Sequence, residues 1–127
     1  MNDHFPDPLR LEDAGMHGGS RVFRLMDSFR CRSSFGTITA HRGFDTDGAS
    51  IPRFAWSLMD PIEGDWFRPA VIHDWLYSPY NEDFSRAECD DIFLEAMFND
   101  GVPWLTRETI YRSVRLFGWK FYRGKIK

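Results

Sequence analysis

The sequence has two cysteines, Cys31 and Cys89, which are far apart and lie in no CxxC arrangement. This excludes a zinc ribbon, which needs paired thiolates at short spacing. A cytoplasmic domain of this size needs no disulfide, so both are expected as buried thiols. No run approaches the roughly 20 apolar residues that cross a bilayer, so no membrane span is expected. The opening stretch MNDHFPDPLRLEDAG lacks the basic and apolar regions of a secretory signal, which points to a soluble protein made in the cytoplasm. There is no GxSxG nucleophile elbow, no internal repeat and no low-complexity tract. The loop Asp45-Thr46-Asp47-Gly48 has a calcium-like look but lacks the later ligands of an EF-hand, so it reads as a turn.

What remains is enough for one core: 127 residues, 43% hydrophobic and 17% aromatic. The net charge of −3 hides an uneven distribution. Between Asp60 and Asp100, eleven acids face only Arg68 and Arg86, whereas from Arg107 onward seven basic residues face Glu108 alone. A basic tail of this kind suits docking on an acidic partner better than reading DNA, and no clear nucleic-acid motif accompanies it. Trp56, Trp66, Trp75, Trp104 and Trp119 sit on apolar helical stripes and are expected in the core rather than as base-stacking platforms.

Residues 1–20 mix Pro6, Pro8, Gly15, Gly18 and Gly19 with charges and show no period, which predicts an extended N-terminal arm ahead of a single domain over 21–127. Phe23, Leu25, Phe29 and Cys31 alternate, with Asp27 interrupting. After Ser33-Ser34 the segment Phe35 to His41 is rich in β-formers, so an antiparallel pair is expected. Ser50 reads as the N-cap of a short helix carrying Phe54, Ala55, Trp56 and Leu58. A second helix runs from about Arg68 to Tyr77 with two stripes, one of Ile72, Trp75 and Leu76 and one of Ala70, His73, Asp74 and Tyr77, and is expected to be buried on most sides. Ser85 and Glu88 form a capping box ahead of a third helix bearing Cys89, Phe93, Ala96 and Met97, and Thr106 is expected to cap the last. The fold class predicted is α+β: a small N-terminal antiparallel β-sheet or hairpin followed by three to four packed α-helices.

Four blocks in order, TDGASIPR (Thr46 to Arg53), HDWLY (His73 to Tyr77), SRAECDDIFLEAM (Ser85 to Met97) and VRLFGWKFY (Val114 to Tyr122), resemble the DUF1353 family over roughly residues 35–122. That resemblance implies a tailed-phage or prophage context, no settled activity, and a set of recurring polar positions at Asp47, Ser50, Arg53, His73, Asp74, Tyr77, Arg86 and Asp90. Here Cys89 replaces a usually small apolar residue and Asp91 adds an acid, which weakens any metal argument through Asp91.

Burying an imidazole, a carboxylate and a phenol on one helix costs several kcal/mol unless each finds a partner. Internal pairing is one solution, with Arg53 or Arg86 meeting Asp74 or Asp90. Catalysis is another. His73 would act as general base, oriented by Asp47 or Asp90, with Asp74 in the same catalytic group and an arginine stabilising negative charge on the substrate. A divalent metal on His73, Asp47 and Asp90 is a third possibility. A His-Asp pair followed by a tyrosine also occurs in phospholipases A2, although their glycine-rich calcium loop and disulfides are missing here. His41 can reach such a site from the end of a strand, whereas His4 and His17 lie in the arm.

Three functions compete. One is a virion-associated, tail or assembly accessory protein that docks on a phage structural or host protein, with homo-oligomerisation possible. The second is a hydrolase acting on a phosphate ester, lipid or cell-wall bond. The third is a ligand-binding inhibitor of host defence. The expected location is the host cytoplasm, or the virion for the first.

Overall fold

In the computed structural model, residues 3–48, 50–52, 55 and 67–126 are described. Five strands come first: β1 (Leu11–His17), β2 (Ser20–Leu25), β3 (Phe29–Ser33), β4 (Gly36–Ala40) and β5 (Asp45–Thr46). Among the described residues three α-helices follow, α1 (Phe67–Tyr77), α2 (Arg86–Asn99) and α3 (Trp104–Phe117), and α3 runs into a 3-10 turn over Gly118–Lys120. The strands form two separate antiparallel sheets, β1-β2-β5 and β3-β4. The expectation of one small sheet or hairpin with three to four helices is corrected to this arrangement.

Two local features explain the correction. Gly18 and Gly19 both have positive φ, +58° and +83°, and form the two-residue turn that pairs His17 with Ser20. Glycines that read as a linker are therefore a hairpin turn, whose backbone twist requires positive φ at both central positions. The expected arm is thus part of the fold: β1 takes up its second half, with an irregularity between Asp13 and Met16 where Gly15 sits at φ +88°. Phe5 is fully buried and stacks on Phe29 at 5.6 Å, and Asp7 pairs with Arg30. The second feature is the break at Asp27, which turns to the Arg10 guanidinium at 2.7 Å. It divides the alternating run Phe23 to Cys31 between β2 and β3, which belong to different sheets.

Only part of the apolar surface of each strand pair is used, and the helices close over it. Phe29, Cys31, Ile38 and Ala40 of the β3-β4 hairpin pack with Val71, Ile72 and Leu76 of α1 and with Cys89 and Ile92 of α2. A second cluster joins Ile51 and Ala55 to Phe93 and Met97 of α2 and to Ile110 and Val114 of α3. Helix α1 is buried from Pro69 to Tyr77, which is why both of its stripes carry structure and it shows no solvent face. The capping box Ser85/Glu88 starts α2 as the sequence pattern requires. Helix α3 starts three residues earlier than expected, at Trp104 with Pro103 as its N-cap, so Thr106 lies in its first turn and is not the cap. Most of the helix predicted after Ser50, with Phe54, Trp56 and Leu58, lies outside the described residues. Among the described residues no helix is long and apolar enough to cross a membrane.

Candidate functional site

Asp74 sits in the middle of α1 and faces the loop that follows β5. Its carboxylate takes the Thr46 hydroxyl at 2.5 Å and the Gly48 amide at 2.8 Å on one oxygen, and the Ser50 amide at 3.3 Å and the Ser50 hydroxyl on the other. Gly48, at φ +73°, allows the turn that aims these donors at one point. The helix that Ser50 was expected to cap lies mostly outside the described residues. The Ser50 hydroxyl is committed to Asp74 and to His73, whose Nδ1 lies 2.9 Å away.

His73, one residue earlier on α1, points along the same helix toward α2. Its Nε2 meets Asp90 Oδ1 at 2.8 Å, and that same oxygen accepts the Tyr77 hydroxyl at 2.6 Å. The other oxygen of Asp90 accepts from Arg115 of α3 at 2.7 Å. The His73 ring lies between Tyr77 and Phe93, at 4.1 and 4.4 Å between centroids, which fixes its plane. The result is one continuous hydrogen-bonded spine, Asp74–Ser50–His73–Asp90–Arg115, that ties the loop after β5 to all three helices. His73 and Asp90 are fully buried, and Ser50, Asp74 and Tyr77 nearly so.

The two carboxyls at its ends sit in opposite environments. Burial pushes the Asp74 carboxyl up, and the Ser50 and Thr46 hydroxyls, His73 and the Gly48 amide offset only part of that rise. Burial alone would also raise Asp90, but His73, Tyr77 and Arg115 outweigh it and hold the carboxyl below the usual carboxylate range. Burial, joined by the charge of Asp90 and its hydrogen bond, raises the Tyr77 phenol. Both cysteines are free and buried, and desolvation pushes each thiol up to about 12, so neither is a nucleophile.

The structure brings Ser50, His73, Asp74, Tyr77 and Asp90 into one unit and adds Arg115 and Thr46, which residue-by-residue reading passed over although both lie within the quoted blocks. Arg86, expected as the bidentate partner, sits 3.5 Å from Asp90 and gives its stronger bonds to the Val114 and Arg115 carbonyls at 3.0 and 3.2 Å. Arg53 lies outside the described residues. Asp47 lines a cleft of about 300 Å³ with Ser50, Asp74, Tyr77, Phe121 and Arg123. Asp91 takes the Tyr111 hydroxyl at 2.8 Å, away from the spine. His41 packs edge-on against Trp75, centroids 5.3 Å apart, and His17 bonds the Ala14 carbonyl within the first hairpin. Among the described residues no three His, Cys, Asp or Glu side chains are arranged to hold a metal ion, and His73, Asp47 and Asp90 are not gathered as such a set.

The convergence of four sequence blocks on one spine is what a family constraint looks like in space, and the profile of the family described as "Protein of unknown function (DUF1353)" matches residues 23–114. The chain belongs to the DUF1353 family. Among curated proteins it is similar to the uncharacterized protein y4jT of Sinorhizobium fredii (strain NBRC 101917 / NGR234), 35% identical over 79 residues. That match takes in 60% of this chain and 22% of y4jT, so the DUF1353 chain spans about a fifth of its relative. No solved structure matches it.

Proposed function

We propose that this DUF1353 protein is a binding module, an accessory or assembly component of a tailed phage or prophage, in which the buried spine organises the fold and does no chemistry. The observation that carries the reading is saturation. Both His73 nitrogens and both Asp90 oxygens are taken by protein groups, and the Gly48 and Ser50 amides are spent on Asp74. Buried ion-pair networks of this type fix the relative placement of elements. The phage context rests on the resemblance of the four blocks, and the host cytoplasm or the virion is the location that this reading expects. Tagged protein expressed during infection tests this: co-purification with a phage or host protein, or presence in washed particles, is expected. Absence from particles together with no specific partner in a pull-down sinks it.

One observation favours a second reading, a hydrolase. Ser50 faces the cleft with His73 behind it and Asp90 behind His73, the order of a nucleophile, base and orienting carboxylate. In that case Ser50 forms a covalent adduct with an activated phosphonate ester, found by mass spectrometry and lost in His73→Gln. An unlabelled, folded wild-type protein removes this reading.

A further inference from the structure

Helix α3 buries Ile110, Ser113 and Val114 and leaves the opposite face bare. On that face Leu105, Glu108, Arg112 and Leu116 recur at steps of three, four and four, the spacing of one helical stripe. Leu105 and Leu116 are 70% and 67% exposed, and Trp104 and Trp119 at the two ends are 64% and 63% exposed, so neither tryptophan is the core residue its stripe suggested. The side chains of Glu108 and Arg112, although four apart, make no hydrogen bond or ion pair with any described residue. Phe98, 63% exposed, adjoins the first turn of α3 through the Arg107 guanidinium over its ring. Several large apolar side chains exposed along one helix face, with a charged pair between them, mark an interface.

The pattern also says what covers it. Running the stripe antiparallel to a copy of itself, with a two-fold axis at the level of Ile110, sets Glu108 opposite Arg112 of the second copy and Arg112 opposite its Glu108. The same register places Trp104 and Leu105 at one end over Leu116 at the other. A surface in which residue i meets j and j meets i is the requirement for an isologous dimer. A uniformly charged occupant, such as an anionic bilayer or a nucleic acid, would leave Glu108 facing like charge. We infer that the protein forms a two-fold dimer through antiparallel pairing of the outer faces of α3, with Leu105, Leu116 and Trp104 as apolar anchors and reciprocal Glu108–Arg112 pairs setting the register. This is independent of the role given to the spine.

Sedimentation velocity on the full chain over a range of concentrations tests it. A concentration-dependent dimer is expected. Leu116→Glu should weaken it by at least about tenfold, since a charge then replaces the apolar anchor that meets Trp104 and Leu105 of the second copy. Glu108→Arg and Arg112→Glu should each weaken it by like-charge opposition, and the double variant should recover most of the loss. Circular dichroism should show all four variants folded, because the changes lie on the solvent side. A wild type that stays monomeric overturns the inference. So does a dimer indifferent to Leu116→Glu, which must use another face, and so does a double variant weaker than either single one, which puts Glu108 and Arg112 out of register.

Discussion

The spine and the exposed stripe lie on adjoining faces of α3 and obey opposite rules. On the inner side Arg115 completes a chain of buried groups whose hydrogen-bonding atoms are answered from within the protein. On the exposed stripe Arg112, three residues earlier, has no side-chain partner among the described residues and stands between two exposed leucines. Burial without partners is costly, so the inner groups had to be satisfied for the chain to fold. The outer groups carry no such requirement in the monomer, and their arrangement therefore reports on association. The contrast assigns stability to one side of α3 and recognition to the other, and each assignment can be broken separately.

The largest effect is expected at Asp90. Asp90→Ala leaves His73, Tyr77 and Arg115 without their common acceptor in a closed interior, and removing one partner of a buried charged network costs about 3–5 kcal/mol. Urea unfolding of the purified variant measures it, and loss of soluble protein on expression is the extreme form of the same result. A loss below about 1 kcal/mol, the size typical of exposed pairs, would show that the spine is not what holds the helices together.

Acid should act on the same point. Asp90 is held below its ordinary range in the folded state, so its contribution is complete above the unfolded carboxyl value, about 3.9, and disappears as pH falls through the folded one. Asp74 has the opposite sign: its raised carboxyl favours the fold while protonated, and that contribution is lost as pH rises through the folded value. Stability followed from neutral pH downward should therefore improve as Asp74 takes up its proton and then fall once Asp90 begins to protonate. In Asp74→Asn the first of these limbs should vanish. An unchanged acid profile in that variant would contradict the assignment.

A smaller loss is expected at the start of α2. Ser85→Ala removes half of the capping box and should cost about 1 kcal/mol in the same unfolding experiment. It calibrates the comparison, because it disturbs a helix end without touching either face of α3.

Legibility in the sequence followed the same division. The capping box, the all-round burial of α1 and the grouping of His73, Asp74 and Tyr77 were readable because each depends on spacing within one element, and the recurrence of types at i, i+3 and i+4 is a local signal; the inward-facing Asp90 was readable from its place beside the core stripe of α2. The partners from other elements were not. Arg115 was one of seven basic residues in the tail, and Arg86, four residues before Asp90 on the same helix, was the more visible candidate. Arg115 reaches Asp90 because α3 packs against α2, a tertiary fact with no local trace. Thr46 and Ser50 were legible as a turn and a cap, the ordinary uses of such residues, but Asp74 draws their hydroxyls inward. The N-terminal strands were missed for a different reason. Gly15, Gly18 and Gly19 mark a linker and a bulged hairpin equally well, and only the pairing of Leu11 with Leu25 decides between them.

The smallest effect on the fold is expected from Arg112→Ala, and this makes it the sharpest test of the division. The guanidinium makes no hydrogen bond or ion pair among the described residues, so unfolding of the dissociated protein should change by no more than about 0.5 kcal/mol. If Arg112 instead lends the helix appreciable stability, through a contact with Glu108 formed in solution, the loss would be salt-sensitive and would disappear in Glu108→Gln. That outcome would make the pair an ordinary surface bridge and remove its reason for facing outward. A silent change in stability that coincides with a weakened dimer places the two arginines of α3 in separate roles: Arg115 belongs to the fold, and Arg112 to what the fold meets.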